Sequence, residues 1–224
     1  MNNFNLFFVE GIRHITDLNG MDHILFIAAL CLQYLLSDWK KLLMLITAFT
    51  LGHTLTLALS TLDIISVPSA ITEFVIALTI LLTAANNFRY GQQSRHSRYI
   101  YIMACLFGLI HGLGFSTLLK SMLGRDAGII TELFAFNLGL EVGQLAILAV
   151  LLFISYIFVA RLRIRRKAYI ITLSAAIAIV SANMAIDRYP NKREIHNDKT
   201  GFQYPKPDAV TISISATNSK QSRV

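Results

Sequence analysis

The sequence predicts an all-α, polytopic membrane protein: a bundle of about six transmembrane helices preceded by a short interfacial segment. Three observations carry this. Of 224 residues, 54% are hydrophobic and only 15% charged, with a mean hydropathy of +0.56, which is too apolar for a soluble domain of this size. The apolar residues fall in long runs at regular spacing, each near the ~20 residues a helix needs to cross a bilayer. Lys and Arg sit almost wholly between and after those runs, as membrane insertion requires. The net charge of +7 is therefore a topology signal and not a nucleic-acid footprint; the expected partner is the lipid bilayer. Cys31 and Cys105, the two cysteines, lie in apolar runs at no metal-site spacing, so neither a disulfide framework nor a cysteine zinc site is indicated.

Taken in order, the N-terminal "MNNFNLFFVEG" has no basic region and no small-residue cleavage site, and reads as a retained interfacial segment, not a signal peptide. Six spans follow, at about 20–36, 41–62, 64–88, 99–123, 131–160 and 169–187. The first is short and closed by "SDWKK". The third has Pro68 near its start, where a helix tolerates proline. The fifth is long enough to require tilt or an end outside the core. Residues 1–188 thus form the membrane domain, and 189–224 a polar tail expected to be disordered, in which "AVTISISA" could make a short strand.

Orientation follows from the loops. Lys40 and Lys41 follow the first span, Arg89, Arg95 and Arg98 the third, and Arg161, Arg163, Arg165, Arg166 and Lys167 the fifth. The opposite side has Arg13, Lys120, Arg125, Arg188, Lys192 and Arg193. The excess puts the three basic loops in the cytoplasm and both termini outside, in a multi-pass protein of the inner or plasma membrane.

The informative residues are those that break the apolar runs, since a charge at the centre of a membrane helix costs roughly 2.5–3.5 kcal/mol on insertion scales and usually marks a pathway or site. Asp22 and His23 open the first span. His53 lies in the second, Glu73 in the third, His111 among Gly108, Gly112 and Gly114 in the fourth, and Asn137, Glu141 and Gln144 in the fifth. The last three share one helix face by their spacing, and Thr47, Thr50, His53 and Thr54 stripe the second span. Imidazole suits nickel, copper, zinc and iron, and carboxylates compensate cationic charge. His23, His53 and His111 could supply nitrogen ligands; Asp22, Glu73 and Glu141 could supply charge.

Each residue also has a plainer reading. Asn19 and Asp22 could cap the first span. His53 could bond a carbonyl or threonine of a neighbouring helix. The glycines around His111 could serve packing alone, Glu73 could sit at headgroup level, and Glu141 could make a structural hydrogen bond. His96 and His196 read as solvated. His14 and His23 are nine residues apart, so one straight helix would separate them by roughly 13 Å; His14 joins a site only if the turn at 17–20 folds it back.

The segments "HITDLNGMDHILFIAALCL", "TAFTLGHTLTLALSTL", "ITEFVIALTILLTA", "FGLIHGLGFSTLL" and "FAFNLGLEVGQL", in this order, resemble the HupE/UreJ membrane proteins. The resemblance implies a membrane protein of six to eight helices associated with uptake of nickel or cobalt for hydrogenase or urease. By analogy it makes His14, Asp22 and His23 ion-handling residues, with His53, Glu73, His111 and Glu141 in family-pattern segments. One departure stands out: seven residues separate His14 from the Asp22–His23 pair, a longer spacing than the usual pattern. The expected function is a secondary permease for a divalent transition-metal ion, which is its substrate and not a resident cofactor, since no nucleotide-binding motif is present. The rival readings are an intramembrane metal-dependent hydrolase, against which stands the lack of a HExxH-like motif, and a non-transporting membrane adaptor.

Overall fold

The structure, a computed structural model, describes residues 3–18, 20–89, 98–122 and 129–190. The polar tail beyond, with its candidate strand and His196, lies outside them, as do Asn19, Arg95 and His96. Among the described residues there are seven α-helices and no strand: α1 (Asn3–Thr16), α2 (Asp22–Cys31), α3 (Trp39–Thr61), α4 (Ser69–Asn86), α5 (Arg98–Met122), α6 (Ile129–Tyr156) and α7 (Arg166–Asp187). Four helical stretches are long and apolar enough to cross a membrane: Leu36–Thr61, Ser69–Arg89, Ile129–Arg161 and Arg166–Asp187. The third, ending in a π-helical turn at Ile157–Arg161, has 33 residues and a length of ~50 Å, more than a ~30 Å hydrocarbon core accommodates without tilt or an end outside it. Pro68 is the N-cap of α4, a place where its missing N–H costs nothing.

Helix pairs organise the bundle. α1 runs alongside the first half of α6 and α3 alongside α5, both in parallel and at backbone contact. A Cβ on Gly11 would strike the carbonyl oxygen of Phe136, and one on Gly139 that of Phe8. In the other pair, Gly52 lies against the carbonyl oxygen of Cys105 and Gly108 against that of Phe49. Such approaches are available only to glycine, and they are how helices without a hydrophobic driving force between them gain packing. α4 and α7 pack antiparallel, with Phe74 near the start of one against Tyr189 just past the end of the other, ring centroids 5.4 Å apart. α2 lies against α4 and α6. Asn87 Nδ2 donates to Ala29 O at 2.8 Å, Gln33 Nε2 to Asn87 Oδ1 at 2.7 Å, and Arg166 Nη2 to Gln33 O at 2.7 Å. These bonds pin the chain where it leaves α2, near the end of α4 and the start of α7.

Three sequence expectations change here. The first span is not a full-length helix: α2 has ten residues, ~15 Å of rise, and Leu32–Leu35 continue outside helix. The N-terminal segment is not laid apart at the interface. It packs lengthwise on α6 because Gly11, Gly139 and Gly143 clear the contact, burying Phe7 and Ile15. The N-cap of α2 is Met21, with no side-chain cap bond; Asp22 is turned to another partner, described below.

The polar stripes of α3 and α6 meet each other. Thr54 Oγ1 donates to Asn137 Oδ1 at 2.6 Å, Thr50 Oγ1 to Gln144 Oε1 at 2.7 Å and Thr47 Oγ1 to Glu141 Oε1 at 3.2 Å. Interhelical bonds of this kind average about 0.6 kcal/mol in membranes. Thr54→Val should therefore cost about 0.6 kcal/mol and leave the fold intact, read as a small drop in unfolding midpoint in detergent.

Candidate metal centre

His14 reaches the site from the end of α1, His23 from the first turn of α2, His53 from α3 and His111 from α5. The turn between α1 and α2 does fold His14 back: its ring lies 4.7 Å from that of His23 between centroids, and His53 stands 6.0 Å from His14 and 5.9 Å from His23. His111 closes the group at 5.2 Å from His23. His14, His23 and His53 can each present one ring nitrogen such that all three lie within 4.8 Å of one another. Two nitrogens on opposite sides of one ion bound at ordinary metal–nitrogen distance would stand about 4.2 Å apart, so small side-chain shifts bring these three to one ion.

The site is buried, and most of its ring nitrogens have no protein partner. His53 is 0% exposed, His111 1% and His23 6%. Both ring nitrogens of His53, and Nε2 of His14, His23 and His111, are buried with no hydrogen-bond partner. Unpartnered buried polar atoms are costly and rare, and five in one cluster point to a ligand that they would bind. His111 shows the arrangement that orients a metal-binding imidazole. Its Nδ1 lies 2.8 Å from Phe107 O; a carbonyl only accepts, so the proton is on Nδ1 and the lone pair is on Nε2. Phe26 and Phe49 pack on His111, centroids 5.2 and 5.1 Å away, and Phe115 packs on His14 at 3.9 Å.

The carboxylates stand outside this group. Asp22 binds Arg188, with Nη1 at 3.0 Å from Oδ1 and 2.9 Å from Oδ2, so its charge is matched by a guanidinium just past α7. Glu73 is at the rim, its side chain 53% exposed, with Oε2 at 4.0 Å from Arg188 Nε. Glu141 belongs to the α3–α6 seam with Asn137 and Gln144, and Gln144 Nε2 is buried without a partner. The structure thus gathers four of the expected residues, His14, His23, His53 and His111, and sets Asp22 beside them; it does not bring Glu73 or Glu141 to the nitrogens. Sequence reading counted Arg188 as an ordinary topology charge, and nothing near it in the sequence identifies its partner. The return of His14 had a signal: Gly11-x-x-His14 repeats as Gly108-x-x-His111.

A family model described as "HupE / UreJ protein" matches residues 1–188, which include every helix and every residue of the imidazole cluster. No curated protein and no solved structure matches the chain at a significant level. The ordered segments around His14, Asp22–His23, His53, Glu73, His111 and Glu141 all fall inside the match, and the chain belongs to the HupE/UreJ family.

Proposed function

We propose that this protein is a secondary permease for a divalent transition-metal ion, nickel first and cobalt as the alternative cargo. The observation that carries the reading is the buried group His14, His23 and His53, with nitrogens within 4.8 Å of one another and without other partners. Neutral imidazole is a borderline donor that suits nickel, cobalt, copper or zinc and offers little to magnesium or calcium. In this reading the four histidines replace the hydration shell of the ion. Asp22 gives compensating charge at the mouth while exchanging its bond with Arg188. Glu73 stands where an arriving cation first meets a carboxylate, and Glu141, Asn137 and Gln144 hold α3 to α6. Six elements cross the inner or plasma membrane, α3 to α7 and, before them, the short α2 continued by the non-helical Leu32–Leu35, with both termini outside and the basic loops in the cytoplasm. The cargo would serve hydrogenase or urease maturation, the association the family carries. A metal-dependent hydrolase would need an open metal position and a water beside it; no observation favours that reading, nor an adaptor role.

The test is nickel-63 and cobalt-57 uptake in cells with and without the protein. Uptake should rise with it and fall to background in His53→Ala; equal uptake would refute the proposal. Because a histidine ligand must be deprotonated to bind, protons compete with metal. Nickel affinity of the purified protein, measured by equilibrium dialysis, should therefore be lost once the solution is acid enough to protonate these buried imidazoles, and should return on neutralisation.

A further inference from the structure

The seven helices contain the same three-helix unit twice. One constant sequence offset carries α1 onto α5: Phe7, Gly11, His14 and Ile15 fall on Ala104, Gly108, His111 and Gly112. The same offset carries α4 onto α7, where the buried Thr72, Ala77, Ile80 and Ala84 fall on the buried Tyr169, Ser174, Ile177 and Ser181. A second offset, ten residues shorter, carries α3 onto α6: "AFTLG" at 48–52 falls on "AFNLG" at 135–139, and His53 falls on Leu140. The buried Thr56 and Leu57 then fall on the buried Gly143 and Gln144. The ten-residue α2 lies between α1 and α3 and has no counterpart among the described residues between α5 and α6.

The contacts obey the same correspondence. Gly11 against Phe136 O and Leu140 N becomes Gly108 against Phe49 O and His53 N. Gly139 against Phe8 O becomes Gly52 against Cys105 O. Ile15 with Gly143 becomes Gly112 with Thr56. Each backbone-contact pair therefore takes one helix from each unit. The units are inverted, because α4 and α7 are equivalents and run antiparallel: Phe74 meets Tyr189 at one end, and Gln33 bonds both Asn87 and Arg166 at the other. Repeats of opposite sense place a binding site near mid-membrane and suit alternating access; here the packed bodies are the cross-unit helix pairs and not the units themselves. His14 and His111 are the equivalent imidazoles, so the cluster sits where the two units meet.

The correspondence fails at the mouths. On the face that carries the end of α7, Arg188 ties Asp22 of α2 and Glu73 of α4. The counterpart of Glu73 is Ile170, which is 0% exposed, and α2 has no counterpart among the described residues. One face is held by ion pairs that a cation can enter, and the other by the Gln33–Asn87 and Arg166–Gln33 hydrogen bonds beside the buried Ile170.

We propose that the cross-unit helix pairs, α1 with α6, α3 with α5 and α4 with α7, shift against one another about the imidazole cluster, and that the Asp22–Arg188–Glu73 ion pairs are a latch on the mouth that carries them. The proposal rests on reading the cluster as a cation site on a transport path, but it can be tested without metal. In a Cys31→Ala/Cys105→Ala background, Leu57→Cys lies beyond His53 towards the latched face, and its equivalent, Gln144→Cys, lies beyond Leu140 towards the opposite face. Each is labelled in sealed vesicles of known orientation with a membrane-impermeant thiol reagent, with and without Arg188→Gln. Removing the latch should raise labelling of Leu57→Cys from the latched face by at least about fivefold, the lower end of ordinary coupling between sites, and lower that of Gln144→Cys from the other face. Arg188→Lys should restore the parent pattern. If either cysteine variant fails to insert, Ser60→Cys and Ile147→Cys, the equivalent pair one turn further along the same helices, give the same comparison. Both labels rising together would show mere loosening, and neither moving would show no latch; each overturns the proposal. Nickel binding by the same proteins, measured separately, reports on the cation site independently of either result.

Discussion

Replacing His53 by alanine should lower nickel affinity by at least about 100-fold, the upper end of what losing even an outer-shell partner costs at a metal site. His53 is completely buried, contributes from the middle of α3, and neither ring nitrogen has a protein partner, so its nitrogens have no structural bond to lose. The fold should therefore tolerate the change far better than binding does, apart from a cavity cost of about 1–3 kcal/mol. Isothermal titration with nickel gives the first quantity and a detergent melt the second. Glu141→Gln supplies the contrast. Its carboxylate bonds Thr47 and not the cluster, so binding should change less than about tenfold, below the 10–100-fold range of outer-shell losses. A Glu141→Gln loss as large as that of His53→Ala would place the site on the α3–α6 seam instead.

The second large effect concerns the fold. Gly108→Ala should prevent α3 and α5 from closing on each other. The new methyl would strike the carbonyl oxygen of Phe49 and crowd His53 N, and backbone cannot swing aside as a side chain can. Overpacking of ordinary side chains costs about 1–3 kcal/mol, and a clash with backbone belongs at or above the top of that range. Gly11→Ala meets the equivalent atoms of Phe136 and Leu140 and should do the same to α1 and α6. Gly20→Ala, with open space around it, is the control. Yield of monodisperse protein and thermal midpoint should fall for the first two and hold for the third. Equal behaviour of all three would show that the helix pairs do not touch at backbone.

Sequence legibility followed the physics of the bilayer. The ranges 41–62, 64–88, 99–123, 131–160 and 169–187 overlap the helices α3 to α7, and four helical stretches are long and apolar enough to cross a membrane, because a low-dielectric slab forces apolar length onto the sequence itself. The region before them was harder to read. The apolar character around residues 20–36 continues past the point where the helix stops. The break there is made by tertiary bonds from Asn87 and Arg166, whose sequence distance hides them. In the site, the intramembrane imidazoles were conspicuous as polar residues in apolar runs, but pattern alone could not rank them against the carboxylates. Asp22 and Glu73 look like ligands in sequence and lie on Arg188 in space. Thr50 and His53, expected on one stripe, serve different neighbours, the first Gln144 and the second the cluster. His14 was named through the family resemblance and joined the site only on the condition that the turn at 17–20 folds it back, since its nearness to His23 depends on a turn whose direction no local pattern specifies.

The central claim is that the buried histidines, and no carboxylate, hold the ion. X-ray absorption at the nickel edge of the purified, nickel-loaded protein tests it most directly. The account predicts one nickel per chain with imidazole scattering from at least the three nitrogens of His14, His23 and His53, reduced in His23→Ala and His53→Ala alike. An oxygen-only shell, or an imidazole signal unchanged by both substitutions, would contradict it.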